Sequence, residues 1–252
     1  MVSVCIATLN GAKYLKKQLD SILSQLSPDD EIIISDDGST DETLNIISSY
    51  KDSRINLLKH THSDKFNKFK YCKSFYYVTN NYENALLQAK GDYIFLADQD
   101  DIWPQNKTAR MLEELKTKDC VMCNYNLIDE NDTIISREHT KTKPFKNCLF
   151  YNTIFVPFQG CCMAFKRSYL SQLLPFPENL LSHDLWIGSY FTKTRNIKWI
   201  QEPLHMYRRH TENVSPTTTQ PKNPIHFMIY YRLAFLMEFL KRLNKIKRES
   251  HR

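Results

Sequence analysis

The stretch IFLADQDDIW, residues 94–103, runs from an apolar segment into Asp98, Gln99, Asp100 and Asp101 and closes on Ile102 and Trp103. Like charges so close together repel, so their place at the end of a buried strand needs a reason. Side chains alternate along a strand, which would put Asp98 and Asp100 on one face as two carboxylates able to grip one hard cation. Mn2+ or Mg2+ suits such oxygen donors. An ion of this kind is completed by phosphate oxygens and water, which points to a nucleoside diphosphate substrate. The cation would then cancel the repulsion. D-x-D is a short pattern and an exposed acidic turn is the alternative; the apolar IFLA in front of it favours a site.

Two more polar tips end apolar runs. VSVCIATLN leads to Gly11, and EIIISDDGST passes through Asp36 and Asp37 into a glycine turn. AKYLKKQLDSILSQ and DETLNIISSY have helical spacing, RINLLKH reads as a third strand, NYENALLQAK as a helix ended by Gly91, and DYIFLAD as a fourth strand. Residues 60–80, polar and aromatic without a period, read as a loop over the site. Strands alternating with helices imply right-handed crossovers and a mainly parallel sheet covered on both faces, an α/β fold class. Ligands in such sheets bind beyond the carboxyl ends of the strands, so the tips Thr8 to Gly11, Asp36 to Thr40 and Asp98 to Asp101 should converge. Taken singly, each is also an ordinary helix cap or turn.

With 252 residues and 42% hydrophobic content the chain can bury a sizeable core, as one large domain or a domain plus an appendage. It has 5 glycines and shows neither a low-complexity linker nor a repeat. The seven cysteines are an odd number within apolar runs, with no secretory signal ahead of them, and fit a reducing cytosol. Cys120 and Cys123 form a C-x-x-C without a second pair, so they read as buried strand thiols rather than zinc ligands. Six Lys or Arg against Glu249 in the last twelve residues supply +5 of the +6 net charge. The body is nearly neutral and offers no basic stripe for nucleic acid. The sequons at Asn131 and Asn213 read as chance.

SVCIATLNG, ISDDGSTDET, AKGDYIFLADQDDIW and SHDLW, in that order, resemble the family 2 glycosyltransferases of the GT-A fold, particularly the bacterial polysaccharide branch that includes rhamnosyltransferases. The likeness covers roughly residues 1–215. It implies inverting transfer of a sugar from a nucleotide-sugar, UDP- or dTDP-linked, to a hydroxyl of a glycan or lipid-linked acceptor. It also implies a GT-A domain over residues 1–220, with a nucleotide-binding half at 1–103 and an acceptor half at 104–220. Carried across, Thr8, Asn10, Asp36 or Asp37, Asn81 and Asp98 would bind the nucleotide. Asp98 and Asp100 would hold the metal, joined by His210 from the Y-R-x-H-like end of LHMYRRH. Arg208 and Arg209 would offset phosphate charge, while Gln159, Gly160, His183, Trp186 and Trp103 would shape the sugar and acceptor pocket. Asp184 would be the catalytic carboxylate. Displacement at an anomeric carbon needs a base on the face opposite the departing diphosphate, which agrees with that role. An acid at the start of a helix is equally a cap, and a lone His in a basic loop is equally a surface residue. One departure is FYYVTNNYENAL, which keeps Asn81 but lacks the glycine turn and basic residue of relatives.

Period-two alternation in LHMYRRH separates His205, Tyr207 and Arg209 from Met206, Arg208 and His210. Residues 221–252 read as a basic amphipathic helix, with Leu233, Leu236, Leu240 and Leu243 along one side. His226, Arg232 and Glu238 break its apolar run, so it cannot span a bilayer. Either it packs on the domain with a solvated basic end, or it lies on an anionic membrane surface, which would make the protein cytoplasmic and peripheral to the inner face of the cell membrane. A sugar-phosphate nucleotidyltransferase is the rival enzyme, but TLNGAKYL lacks the Gly- and Arg-rich phosphate loop it would want. A non-catalytic glycosyltransferase-like module is the rival outside enzymology.

Overall fold

The computed structural model describes residues 1–61, 64–137, 146–211, 213 and 223–249. Among them, eight strands form one sheet in the order β3-β2-β1-β4-β7-β5-β6, with β8 also paired to β5. β1 (Val2–Thr8), β2 (Glu31–Asp36), β3 (Ile55–Lys59) and β4 (Tyr93–Ala97) are mutually parallel. Their near-continuous apolar character follows from burial on both faces. α1 (Ala12–Leu23), α2 (Thr43–Ser49) and α3 (Lys73–Gln88) are the crossovers.

α3 starts at Lys73, so the expected loop over residues 60–80 is shorter than its lack of period suggests. Tertiary contacts supply the reason. Phe66, Phe69 and Tyr76 stack at centroid distances of 4.2 to 6.3 Å, and that cluster holds the first turns of α3 against the loop before it.

Beyond α4 (Lys107–Leu115) the sheet changes character. β5 (Cys120–Ile128) and β7 (Met163–Lys166) run antiparallel, β7 also runs antiparallel to β4, and β6 (Ile134–Ser136) is antiparallel to β5. β8 (Ile197–Arg208) is parallel to β5 with register shifts around Asn124. α5 (Leu149–Phe155), α6 (Leu170–Leu173) and α7 (His183–Lys193) cover this half. Cys120 and Cys123 are buried free thiols of β5.

α8 (Ile225–Glu249) packs on the domain through Phe235 and Phe239, which meet the Trp186 ring edge-on at 6.1 and 5.5 Å. The same helix leaves Ile225, Ile229, Leu233, Met237 and Leu240 more than half exposed. The two readings of the tail are thus compatible: among the described residues one face is packed and another is apolar and exposed. Leu236 and Leu243 belong to the packed side, so the four leucines do not share one face. The expected boundary at 220/221, residues 250–252 and most of the Asn213 sequon lie outside the described residues.

Candidate active site

The tips of β1, β2 and β4, the first turn of α7 and the segment after β8 enclose a cavity of about 470 Å³. Thr8, Asn10, Asp37, Asn81, Asp98, Asp100, Gln159, Gly160, His183, Asp184 and His210 all line it.

Turn chemistry builds the first wall. Asp36 accepts from the Gly38 and Ser39 N–H groups at 3.1 and 2.9 Å and from Thr8 Oγ1 at 3.0 Å, with Gly38 at φ +83°. Asp36 is therefore consumed by the turn and does not line the cavity. Asp37 does, and its Oδ1 meets His60 Nδ1 at 2.7 Å. Asn10 takes positive φ, as Asn tolerates, and its Oδ1 accepts from Thr40 N at 2.9 Å. Asn81 donates to the Thr8 carbonyl at 3.3 Å, while its buried Oδ1 has no hydrogen-bond partner among the described residues.

The acidic loop forms the floor. Its acids lie past the end of β4 at Ala97, so loop geometry rather than strand alternation turns Asp98 and Asp100 to the same cavity. Gln99, to which sequence reading gave no role, clasps the β1 tip: Leu9 N donates to its Oε1 at 2.9 Å and its Nε2 donates to the Leu9 carbonyl at 3.1 Å. Gly11 makes room for that clasp, since a Cβ there would stand 2.4 Å from Gln99 Oε1. The Tyr82 hydroxyl lies 2.7 Å from Asp98 Oδ1, and Asp100 Oδ2 meets His210 Nε2 at 2.8 Å and Asn213 Nδ2 at 3.2 Å. Burial, then the charges of Asp101 and Asp100, push Asp98 up to about 6. Burial also raises Asp100, against the His210 hydrogen bond that favours its charged form. Such crowding of carboxylates is what a divalent cation relieves. The donor set, two carboxylates and an imidazole on one cavity, fits a hard or borderline ion.

Ligand atoms of Asp98, Asp101 and Cys161 all fall within 4.8 Å of one another, as do those of Cys161, Cys162 and His205. The expected trio of Asp98, Asp100 and His210 is not such a group, although His210 Nε2 lies 2.8 Å from Asp100 Oδ2; Asp98 Oδ1 is 2.7 Å from the Tyr82 hydroxyl.

The second wall comes from α7. Ser182 caps this helix by accepting from Leu185 N at 3.2 Å. Asp184, in the first turn, accepts from Leu185 N at 2.7 Å and from the Ser182 hydroxyl through the same Oδ1. His183 lines the cavity beside it, 4.2 Å from the Tyr82 ring between centroids, and burial lowers its pKa. Gly160 lets the imidazole in: a Cβ there would stand 2.8 Å from His183 Nε2.

Besides Asp36, four expected residues are elsewhere. Trp186 is 1% exposed and donates to the Leu173 carbonyl at 3.1 Å, so it is a core residue under α8. Trp103, 2% exposed, packs on Phe95 behind the acidic loop. Arg208 is fully buried, with Nε on the Asp100 carbonyl at 2.7 Å and Nη1 on the Asp129 carbonyl at 2.8 Å, which spends it inside the fold. Arg209 stands 5.7 Å over the Tyr207 ring and does not line the cavity. The two-face partition of LHMYRRH does not hold: His205 and Arg208, assigned to opposite faces, are both fully buried, while Tyr207 and His210, the latter past the end of β8 at Arg208, line the cavity. Asn213, met in the sequence only within a sequon, lines the cavity too.

The family described as Glycosyl transferase family 2 matches residues 3–174. The chain belongs to this family. The dTDP-rhamnosyl transferase RfbG of Shigella flexneri is 30% identical over 221 residues, covering 82% of this family 2 chain and 72% of that protein. The UDP-Glc:alpha-D-GlcNAc-diphosphoundecaprenol beta-1,3-glucosyltransferase WfaP of Escherichia coli is 35% identical over 136 residues, 54% of this chain and 49% of that one. The family 2 chain thus spans between about half and three quarters of the length of these relatives. The crystal structure of S. aureus TarS 1-349 in complex with UDP-GlcNAc aligns with TM-score 0.63 and 19% identity over 96% of this chain and 72% of that one. That likeness concerns the fold, which is GT-A: the central sheet flanked by helices with the C-terminal helix appended.

Proposed function

We propose that the cavity binds a UDP- or dTDP-sugar and that the protein transfers the sugar, with inversion, to a hydroxyl of a glycan or lipid-linked saccharide in polysaccharide synthesis. One observation carries the reading: Asp37, Asp98 and Asp100, from strand tips far apart in sequence, share one cavity with Asp184. In this reading Asp37 and the unpartnered Oδ1 of Asn81 accept hydrogen bonds from the nucleoside. Asp98 and Asp100, with His210, would hold Mn2+ or Mg2+. When bound, the ion would neutralise the diphosphate and stabilise it as the leaving group. Gln159, Gly160 and His183 border the sugar. Asp184, its Oδ1 fixed by the helix cap, takes the acceptor proton as the new bond forms on the face opposite the diphosphate. The named activities of the Shigella and E. coli relatives support dTDP-rhamnose or UDP-glucose as donors, and the second supports a lipid-linked acceptor.

A panel of UDP-, dTDP- and GDP-sugars with and without Mn2+ tests this by thermal unfolding. A ligand at a hundred times its Kd adds about 2.7 kcal/mol of stability. One UDP- or dTDP-sugar should raise the midpoint only with the ion present; no response to any sugar would end the proposal.

The apolar face of α8 supports an anionic membrane surface as the seat of that acceptor. Phe150 and Phe155 of α5 are also exposed, and Arg232 of α8 donates to the Thr153 and Ile154 carbonyls, so the two helices present apolar side chains together. Lys241 and Lys245 follow on the exposed side of α8, next to the anionic headgroups such a helix would meet. Removing α8 would uncover Trp186, so the clean test changes only the free face. Leu233→Asp with Met237→Asp should abolish flotation with anionic liposomes at an unchanged unfolding midpoint; undiminished flotation rejects the surface.

A further inference from the structure

Behind the acidic loop, away from the cavity, lies a row of buried polar groups that the chemistry above does not use. Lys107, in the first turn of α4, is fully buried. Its Nζ donates to the Cys161 carbonyl at 2.7 Å, reaches His205 Nδ1 at 2.8 Å and stands 4.3 Å over the Trp103 ring. An ammonium has protons to give and no lone pair to receive with, so Nδ1 is the acceptor. The neutral ring then carries its proton on Nε2, which lies 2.8 Å from Asp101 Oδ2. Burial and the neighbouring Lys107 hold His205 well below the usual imidazole range, which keeps the ring neutral. The other carboxylate oxygen of Asp101 accepts the Arg208 N–H at 2.8 Å, and Arg208 Nε returns to the Asp100 carbonyl at 2.7 Å. Lys107, His205, Asp101 and Arg208 are each 0% exposed.

Burying this much charge is no gain in stability, since apolar side chains of similar volume would serve a core as well. What a polar row adds is direction. It fixes which way Asp101 points and, through Asp101 and the Asp100 carbonyl, the course of the backbone that carries Asp98 and Asp100. We infer that Lys107 and His205 are positioning residues for the divalent-cation site: they clamp Asp101 from behind, so that Asp98 and Asp100 are held facing the cavity. The inference rests on the metal reading given under the proposed function. Neither residue touches the cavity, and both ring nitrogens of His205 are engaged without the neighbouring cysteines, of which Cys161 adds a side-chain hydrogen bond to Asp101.

Mn2+ binding to the full chain, measured from the free-ion electron paramagnetic resonance signal, tests the clamp. Lys107→Met and His205→Phe keep the volume and lose the hydrogen bonds, and each should weaken Mn2+ binding about 10–100-fold. His205→Gln keeps an acceptor and a donor at the same separation as the two ring nitrogens, and should stay within about threefold of the parent protein. Parent-like affinity in Lys107→Met, or a loss in His205→Gln as deep as in His205→Phe, would overturn the inference. Should the first two variants fail to fold, the unmodified protein decides. With 15N-labelled histidine, long-range proton–nitrogen correlations at neutral pH should show His205 as the Nε2–H tautomer, and an Nδ1–H tautomer or an imidazolium would overturn the clamp. A parent protein with no affinity for Mn2+ would instead remove the metal reading, and the positioning role with it, whatever the tautomer.

Discussion

On one wall of the cavity, the ends of β1 and β2 hold each other: Thr8 bonds Asp36, Asn10 bonds Thr40, and Asp37 N donates to the Thr8 carbonyl at 2.9 Å. On the other, Asp184 comes from the first turn of α7, and His210 and Asn213 come from a segment beyond β8 that reaches back to Asp100 across 110 and 113 residues. The first wall obeys a topological rule, because parallel strands deliver their carboxyl ends to one side and the turns that follow them must meet there. The second obeys no such rule. It depends on where the segment beyond β8 and a helix cap happen to bring their side chains, and it holds the residue assigned to the chemistry.

The largest effect belongs to the second wall. Asp184→Asn should lower kcat on the order of 10²–10⁴-fold while donor affinity stays as it was, read from steady-state kinetics beside a binding titration. Retained turnover would move the chemistry off this wall.

The contrast between cavity and core sharpens next. Trp186→Ala removes a buried ring from under Phe235 and Phe239 and should cost about 3–5 kcal/mol in urea unfolding. Gln159→Ala, on the cavity, should cost no more than about 0.5 kcal/mol and show itself in KM. A Trp186 variant that kept its stability but lost substrate affinity would restore that residue to the site.

A smaller change separates the two glycines. Gly160→Ala should push the end of the His183 side chain aside and raise KM several-fold at a nearly constant unfolding midpoint. Gly11→Ala should loosen the Gln99 clasp on the β1 tip and lower that midpoint instead. Identical behaviour of the pair would mean that the walls are not independent.

The smallest effect is one of pH. Burial raises Asp98 and Asp101 from 3.8 to about 6, with neighbouring carboxylates adding to it at Asp98. A folded pKa above the unfolded one means that the folded, ion-free protein binds the proton more tightly. The resulting stabilisation is whole below 3.8 and is lost as pH rises through about 6. The unfolding midpoint of ion-free protein should therefore fall over that interval more than in Asp98→Asn, and parallel curves would contradict the crowding at the cavity floor.

The amino-acid sequence by itself determined the alternation of apolar strands with amphipathic helices, the parallel first half, and the polar tips of Thr8, Asn10, Asp37, Asp98 and Asp100. These are local: a period of two or near four and a turn residue in its place are written within about ten neighbouring positions. Motif order added Asp184 and His210. What only the tertiary structure decided is which of two adjacent groups faces outward. Asp37 lines the cavity while Asp36 closes a turn, His210 lines it while Arg208 is buried, and neither Trp103 nor Trp186 reaches it. The roles of Gln99, Asn213 and the row from Lys107 to Asp101 were invisible beforehand because the pairings that define them, Gln99 with Leu9, Lys107 with His205, His205 with Asp101 and Asn213 with Asp100, span 90 to 113 residues. Spacing along a chain carries no information about pairings of that span, which exist only once packing has removed water from between them.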